Sequence, residues 1–149
     1  MSEHVKFMIR CRAIIFHDGK LLVVRHNRDS SFVALPGGHL EQGEDVKECL
    51  RREIVEELGI EPEIGRLLYI HTFQDLNNKQ DVEFFYEIRN SEKYLDCKNL
   101  SGSHTFEIAD IFWMSPTDDV QILPKKIAED FRAGKLLSDE VKYIKELNN

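Results

Sequence analysis

Apolar and polar positions along this chain change their period several times, and each change marks an element. From Val5 to Phe16 the charged Arg10 and Arg12 alternate with apolar neighbours, as in a half-buried strand. His17-Asp18-Gly19-Lys20 then supplies a hairpin turn, Asp-Gly being a strong short-range signal, and Leu21–Arg25 is the return strand. A polar loop from His26 to Ser31 leads into a short strand, Phe32–Leu35, and on to Pro36 and a glycine-punctuated loop. From about Asp45 the period lengthens. Val46, Leu50, Ile54 and Leu58 recur every four residues, with Cys49 beside them, which predicts an amphipathic helix. Asp45 suits its N-cap, Glu48 the capping-box position three residues on, and Gly59 its end.

Beyond Glu61-Pro62, Leu67–Phe73 and Val82–Ile88 read as two strands joined by the polar turn Asp75–Gln80. Asn90–Thr105 is polar and reads as a loop. Glu107–Met114 holds a strand that looks buried around Ile111–Trp113. Pro124–Ala133 is a second helix with proline in its first turn. Asp139–Leu147 fits a short helix or an edge strand (VKYI) equally well. The sum is an α/β protein, a mixed sheet flanked by two or three helices. With 149 residues and no repeat or linker, a single domain over 1–149 is expected.

Charge and cysteine content narrow the partners. The net charge of −7 comes without a basic stripe, which argues against a nucleic-acid polymer. A small phosphorylated ligand that arrives with its own cation remains compatible. Cys11, Cys49 and Cys97 show no CxxC spacing; Cys11 and Cys49 fall on apolar faces and are expected as core thiols. The N-terminal MSEHVKF has no apolar stretch and no segment reaches membrane-span length, so a cytoplasmic protein without a membrane partner is expected.

The chemistry concentrates between Gly37 and Ile60, GGHLEQGEDVKECLRREIVEELGI. Glu53 lies three residues before Glu56 and four before Glu57, so three carboxylates crowd one side of the helix. Like charges so close destabilise a helix unless something neutralises them, and a hard divalent cation would do so. Arg52 could reach back to Glu44 in the loop and pin loop to helix. Glu41 and Glu48 fit a solvated helix face as well as any functional role.

Reading from Gly38, the order is Gly, five residues, Glu44, seven residues, Arg52-Glu53-Ile54, one residue, Glu56-Glu57, one residue, Gly59-Ile60. This resembles the signature of the Nudix (MutT-like) hydrolases at every defined position. The resemblance implies an α/β/α sandwich with the motif loop and helix at the edge of the sheet. It also implies cleavage of a diphosphate joined to some other moiety. Glu53, Glu56, Glu57 and the Gly38 carbonyl would be metal ligands for Mg²⁺, with Mn²⁺ as a substitute, and Glu44 and Arg52 would be the orienting pair. Glu53 or Glu56 would serve as base, or a carboxylate from outside the helix. Glu107, just before the Ile111–Trp113 strand, is the outside candidate and a further metal ligand. His71 and His104 are weaker ones.

Arg25 and Arg12 are candidates to grip substrate phosphate, whereas Arg28 fits a surface charge better. Phe32, Phe73, Phe84, Phe85 and Trp113 could stack on a base, although most are expected in the core. A nucleoside triphosphate pyrophosphohydrolase is the leading expectation. A nucleotide-sugar or ADP-ribose pyrophosphatase is the alternative. Two further rivals are a diphosphate isomerase, for which no supporting constellation is visible, and a catalytically silent nucleotide-binding sensor, against which the intact carboxylates speak. A homodimer is left open, with the Val5–Phe16 strand as the edge that could pair across a two-fold axis.

Overall fold

The protein is described by a computed structural model covering residues 6–27, 31–74, 77, 79–102, 108–122 and 124–147. The alternating segment at the start gives β1 (Lys6–Ile14), and the chain then crosses at Ile15 into a second sheet as β2 (Phe16–His17). Asp18 and Gly19 both take positive φ, 48° and 77°, as a two-residue hairpin with the right twist requires, and β3 (Lys20–His26) returns. Phe32–Leu35 makes only bridge contacts, Val24 with Ala34 and Val33 with Ile122, before β4 (Gly37–His39). The motif helix α1 runs Val46–Leu58. Next come β5 (Ile64–Gln74), β6 (Lys79–Ile88), two single turns of 3₁₀ helix at Ser91–Tyr94 and Cys97–Asn99, β7 (Ile108–Met114), α2 (Lys125–Arg132) and β8 (Lys142–Glu146).

The single sheet expected is two. A mixed five-stranded sheet has the order β4-β1-β6-β5-β8, and a three-stranded sheet has the order β2-β3-β7. Switching sheets at Ile15 lets one continuous apolar run feed both. Two apolar clusters result. One gathers Ile14, Tyr69 and Phe85 with Leu21, Val23 and the α2 residues Ile127 and Phe131. The other gathers Cys11, Ala13, Leu22 and Tyr86 with the α1 residues Cys49, Leu50, Ile54 and Leu58. Each helix thus has its own core, as in an α/β/α sandwich.

Several expectations are sharpened or corrected. The tail is a strand, β8, which pairs parallel with β5 from Tyr69–Lys142 to Phe73–Glu146. The polar stretch after Asn90 contains the two 3₁₀ turns rather than plain loop. β7 is less buried than its sequence suggests, since Ile111, Phe112 and Trp113 are half-exposed and only Met114 is buried. The edge expected of the first strand is largely occupied. β6 pairs with it in parallel from Lys6 to Ile14, and β4 takes its other side at Arg10–Arg12. Among the described residues no helix is long and apolar enough to cross a membrane.

Both ends of α1 follow from the sequence. The Asp45 carboxylate accepts from the Glu48 N–H at 2.8 Å, and Gly59 closes the helix in the left-handed region at φ 79°. Asp45→Ala is expected to lower stability by about 1 kcal/mol, read from the urea midpoint. An unchanged midpoint would mean the cap contributes nothing.

Candidate active site

The site is built where β4 hands the chain to α1. Gly37 is fully wrapped. Its φ is 149°, a region that favours glycine, and a Cβ there would overlap the Cys11 carbonyl of β1. Its N–H donates to Glu57 Oε2 at 3.2 Å, and its carbonyl accepts from Arg12 Nη1 at 3.4 Å. Gly38 has no room either, because a Cβ would overlap the carboxylate of Glu53. Gly37 thus fits closely against the β1 backbone, and Gly38 faces the Glu53 carboxylate of the helix.

Arg52 is the centre of the charge cluster. Its Nε and Nη2 grip Glu44 through both carboxylate oxygens, at 2.8 and 2.9 Å, in the bidentate geometry that suits a guanidinium. Nη1 donates to Glu53 Oε1 at 2.9 Å and Glu56 Oε2 at 3.3 Å, and Nη2 also donates to the His39 carbonyl at 3.0 Å. Glu44 Oε1 in turn accepts from the Glu41 N–H at 2.8 Å. The reach from Arg52 back to Glu44, expected from spacing, is present. Sequence reasoning did not foresee that the same guanidinium also holds Glu53 and Glu56.

The electrostatics follow from these contacts. The hydrogen bond from Arg52 holds Glu44 below the usual carboxylate range, and the bond to Glu44 raises Arg52 above its ordinary value. Burial pushes Glu53 up, and Arg52 only partly opposes it. A hydrogen bond with Cys49, together with burial, raises the Cys11 thiol, consistent with a core role for that pair.

The other expected residues are distributed differently. Glu57 is buried and turned to the Gly37 N–H. Arg12 makes hydrogen bonds to protein groups; Nε donates to Glu83 at 3.0 Å and Nη1 to the Leu35 carbonyl at 3.1 Å. Arg25 lies over the Phe112 ring at 5.5 Å, with its Nε buried and lacking a hydrogen-bond partner among the described residues. His71 is buried between Glu83 and Glu146. Phe85 is core, and the Trp113 indole donates to the Tyr94 carbonyl at 3.1 Å. Glu107, His104 and Arg28 lie outside the described residues. Gly102 crosses the last turn of α1 so closely that a Cβ would overlap the Glu56 carbonyl oxygen.

Among the described residues, no group of three or more His, Cys, Asp and Glu side chains is placed to hold a metal ion. The donor chemistry nonetheless suits a hard cation. Glu53 and Glu56 are brought together by Arg52, and Glu53 lies against the backbone of Gly38, all of them oxygen donors. Gly38 lies opposite Cys11 in the β1–β4 ladder, and its carbonyl also accepts from the Cys49 thiol at 3.8 Å. An open, one-sided set of this kind matches a cation that completes its shell from water and a phosphorylated ligand.

A loop–helix of this form, seated at the edge of an α/β/α sandwich, defines the Nudix hydrolase class. The NUDIX domain model matches residues 7–134, most of the chain, which therefore belongs to the Nudix family. The ADP-ribose pyrophosphatase of Methanocaldococcus jannaschii is 41% identical over 71 residues, 46% of this chain and 42% of that protein. The chain thus spans less than half the length of this relative. The crystal structure of a MutT Nudix hydrolase from Burkholderia pseudomallei superposes with a TM-score of 0.67 at 25% identity, covering 85% of this chain and 97% of that one. An ADP-ribose pyrophosphatase from Streptococcus suis shares the fold, with a TM-score of 0.62 at 19% identity over 91% and 98% of the two chains.

Proposed function

We propose that this enzyme hydrolyses the diphosphate of a nucleotide joined to another moiety, in a reaction that requires Mg²⁺ or, in its place, Mn²⁺. The observation that carries this reading is the Arg52 guanidinium, which ties Glu44 in the loop to Glu53 and Glu56 on the helix beside Gly38. Glu53, Glu56, Glu57 and the Gly38 carbonyl would hold the cation, with Glu107 as a further ligand. Bound there, the cation would neutralise the diphosphate and polarise its phosphorus–oxygen bonds.

The chain's own residues supply the rest. Arg52 keeps Glu53 and Glu56 oriented, with Glu44 fixing Arg52 from behind. Glu53, raised by its burial, is the carboxylate best suited to take a proton from the attacking water, and Glu56 is the other. Arg25, whose Nε has no hydrogen-bond partner among the described residues, is the candidate clamp for phosphate. ADP-ribose is the first substrate to try, because the Methanocaldococcus jannaschii relative is an ADP-ribose pyrophosphatase. Nucleoside triphosphates, the leading expectation from the sequence, are the comparison.

The test is hydrolysis of ADP-ribose, nucleotide sugars, nucleoside triphosphates and dinucleoside polyphosphates with and without Mg²⁺. Cleavage of ADP-ribose at least about tenfold more efficient than of any triphosphate is expected, with loss of activity in chelator. Binding without turnover across the panel would replace the enzyme reading with a sensor. Preferred cleavage of triphosphates would keep the enzyme and change its substrate.

A further inference from the structure

A row of charged side chains crosses the five-stranded sheet on the face opposite α1, and it ends on the motif loop. Arg12 of β1 donates to Glu83 Oε2 of β6 at 3.0 Å. Glu83 Oε1 meets His71 Nδ1 of β5 at 2.9 Å, and His71 Nε2 meets Glu146 Oε1 of β8 at 2.7 Å. At the other end, Arg12 Nη1 donates to the carbonyls of Leu35 and Gly37. Four strands are thereby connected to the turn that presents Gly38.

We propose that Arg12 and Glu83 are positioning residues for catalysis. The pair holds the Leu35–Gly38 turn against the motif helix, and His71 and Glu146 carry that hold to the edge strand.

Strand pairing alone does not account for the pair. β1 and β6 are already hydrogen-bonded in register from Lys6–Lys79 to Ile14–Glu87. The neighbouring pair, Arg10 with Asp81 at 2.8 Å, spans the same two strands and, among the described residues, makes no side-chain hydrogen bond to the loop. Both carboxylates are sheltered, but the arginines differ: side-chain exposure is 30% for Arg10 and 13% for Arg12. In so sheltered a place the Arg12 geometry is fixed by its partners on both sides. Gly37 is held at its carbonyl by Arg12 and at its N–H by Glu57. Releasing the carbonyl would let the turn, and with it the Gly38 carbonyl, drift relative to Glu53. Outer supports of this kind typically change metal affinity or activity by about 10–100-fold.

The kinetic arm rests on the pyrophosphohydrolase reading; the exchange arm does not. In the full chain, Arg12→Gln is compared with Arg10→Gln, Arg12→Lys and wild type. Amide hydrogen exchange at Gly37 and Gly38 is followed by NMR, and turnover of ADP-ribose with Mg²⁺ is measured alongside. For Arg12→Gln, exchange at Gly37 is expected to rise about tenfold or more and kcat to fall about 10–100-fold with KM little changed. Arg12→Lys should recover part of both, and Arg10→Gln should move neither. Should Arg12→Gln not fold, Glu83→Gln keeps the side-chain shape, loosens Arg12 and gives the same readings.

Equal glycine exchange in the Arg10 and Arg12 variants would overturn the proposal. A rise in KM at constant kcat would do the same, since it would make Arg12 a direct substrate contact. If wild type cleaves no ADP-ribose, that failure belongs to the functional reading, and the exchange data still decide the role of Arg12.

Discussion

On the proposed reading, Glu56→Gln is expected to lower the turnover of ADP-ribose by about 10³-fold, the middle of the range for loss of a positioned acid–base group. The side chain lies on the open side of α1, where Arg52 Nη1 contacts it at 3.3 Å. Glutamine has the same shape and can still accept that hydrogen bond, so the melting temperature should stay near that of wild type. Stability should change by no more than about 0.5 kcal/mol, as for surface substitutions generally. What glutamine cannot supply is the negative charge that a divalent cation or a proton from water would need. Turnover within threefold of wild type would show Glu56 to be an ordinary solvated charge on a helix face.

The second large effect is on acid stability. Burial alone would raise Glu83, but the hydrogen bond from His71 and the charge and hydrogen bond of Arg12 outweigh it and hold the carboxyl at about 2. A carboxyl depressed in the fold stabilises the protein above its ordinary value of 4.5, and that contribution disappears as the pH falls toward 2. The gap between 4.5 and about 2 corresponds to roughly 3 kcal/mol. Glu83→Gln should therefore be less stable than wild type at neutral pH and show a flatter decline on acidification. Urea unfolding at several pH values measures both curves; parallel curves would mean Glu83 titrates alike in the folded and unfolded chain. Glu53 acts in the opposite sense. Burial raises it, so the fold loses stability from this group as the pH rises from 4.5 through its elevated value.

The parts of the fold that the sequence revealed are those whose causes are local. The four-residue period, the Asp45 cap and Gly59 delimit α1 to within a residue, because each acts within a turn or two of chain. The Asp18-Gly19 hairpin was legible for the same reason. In the site, the eight-residue step from Glu44 to Arg52 foretold their ion pair. The assignment of Arg12 was not legible, since it depends on Glu83, 71 positions away. One signal was available: Arg10 and Arg12 have the same alternation as Asp81 and Glu83, and two such strands placed side by side would pair their charges. The choice between helix and strand at Asp139–Leu147 was likewise made by a distant partner, β5, which accepts Lys142–Glu146 on its free side. A five-residue stretch has too little period of its own to decide.

The order of the five-stranded sheet also constrains how the protein comes into being. β1 lies between β4 and β6, and its longest ladder is with β6, so the first strand waits for a partner that follows more than half of the sequence. Until β6 is synthesised, the motif helix can form turns but has only part of the apolar platform that Tyr86 and Ile88 complete. Parallel, non-local pairing of this sort makes for slow collapse and a long-lived exposed edge on the nascent chain. On a ribosome adding about 5–20 residues per second, that interval lasts several seconds. Chaperone demand should therefore fall on the growing polypeptide before β6 emerges, rather than on the finished enzyme.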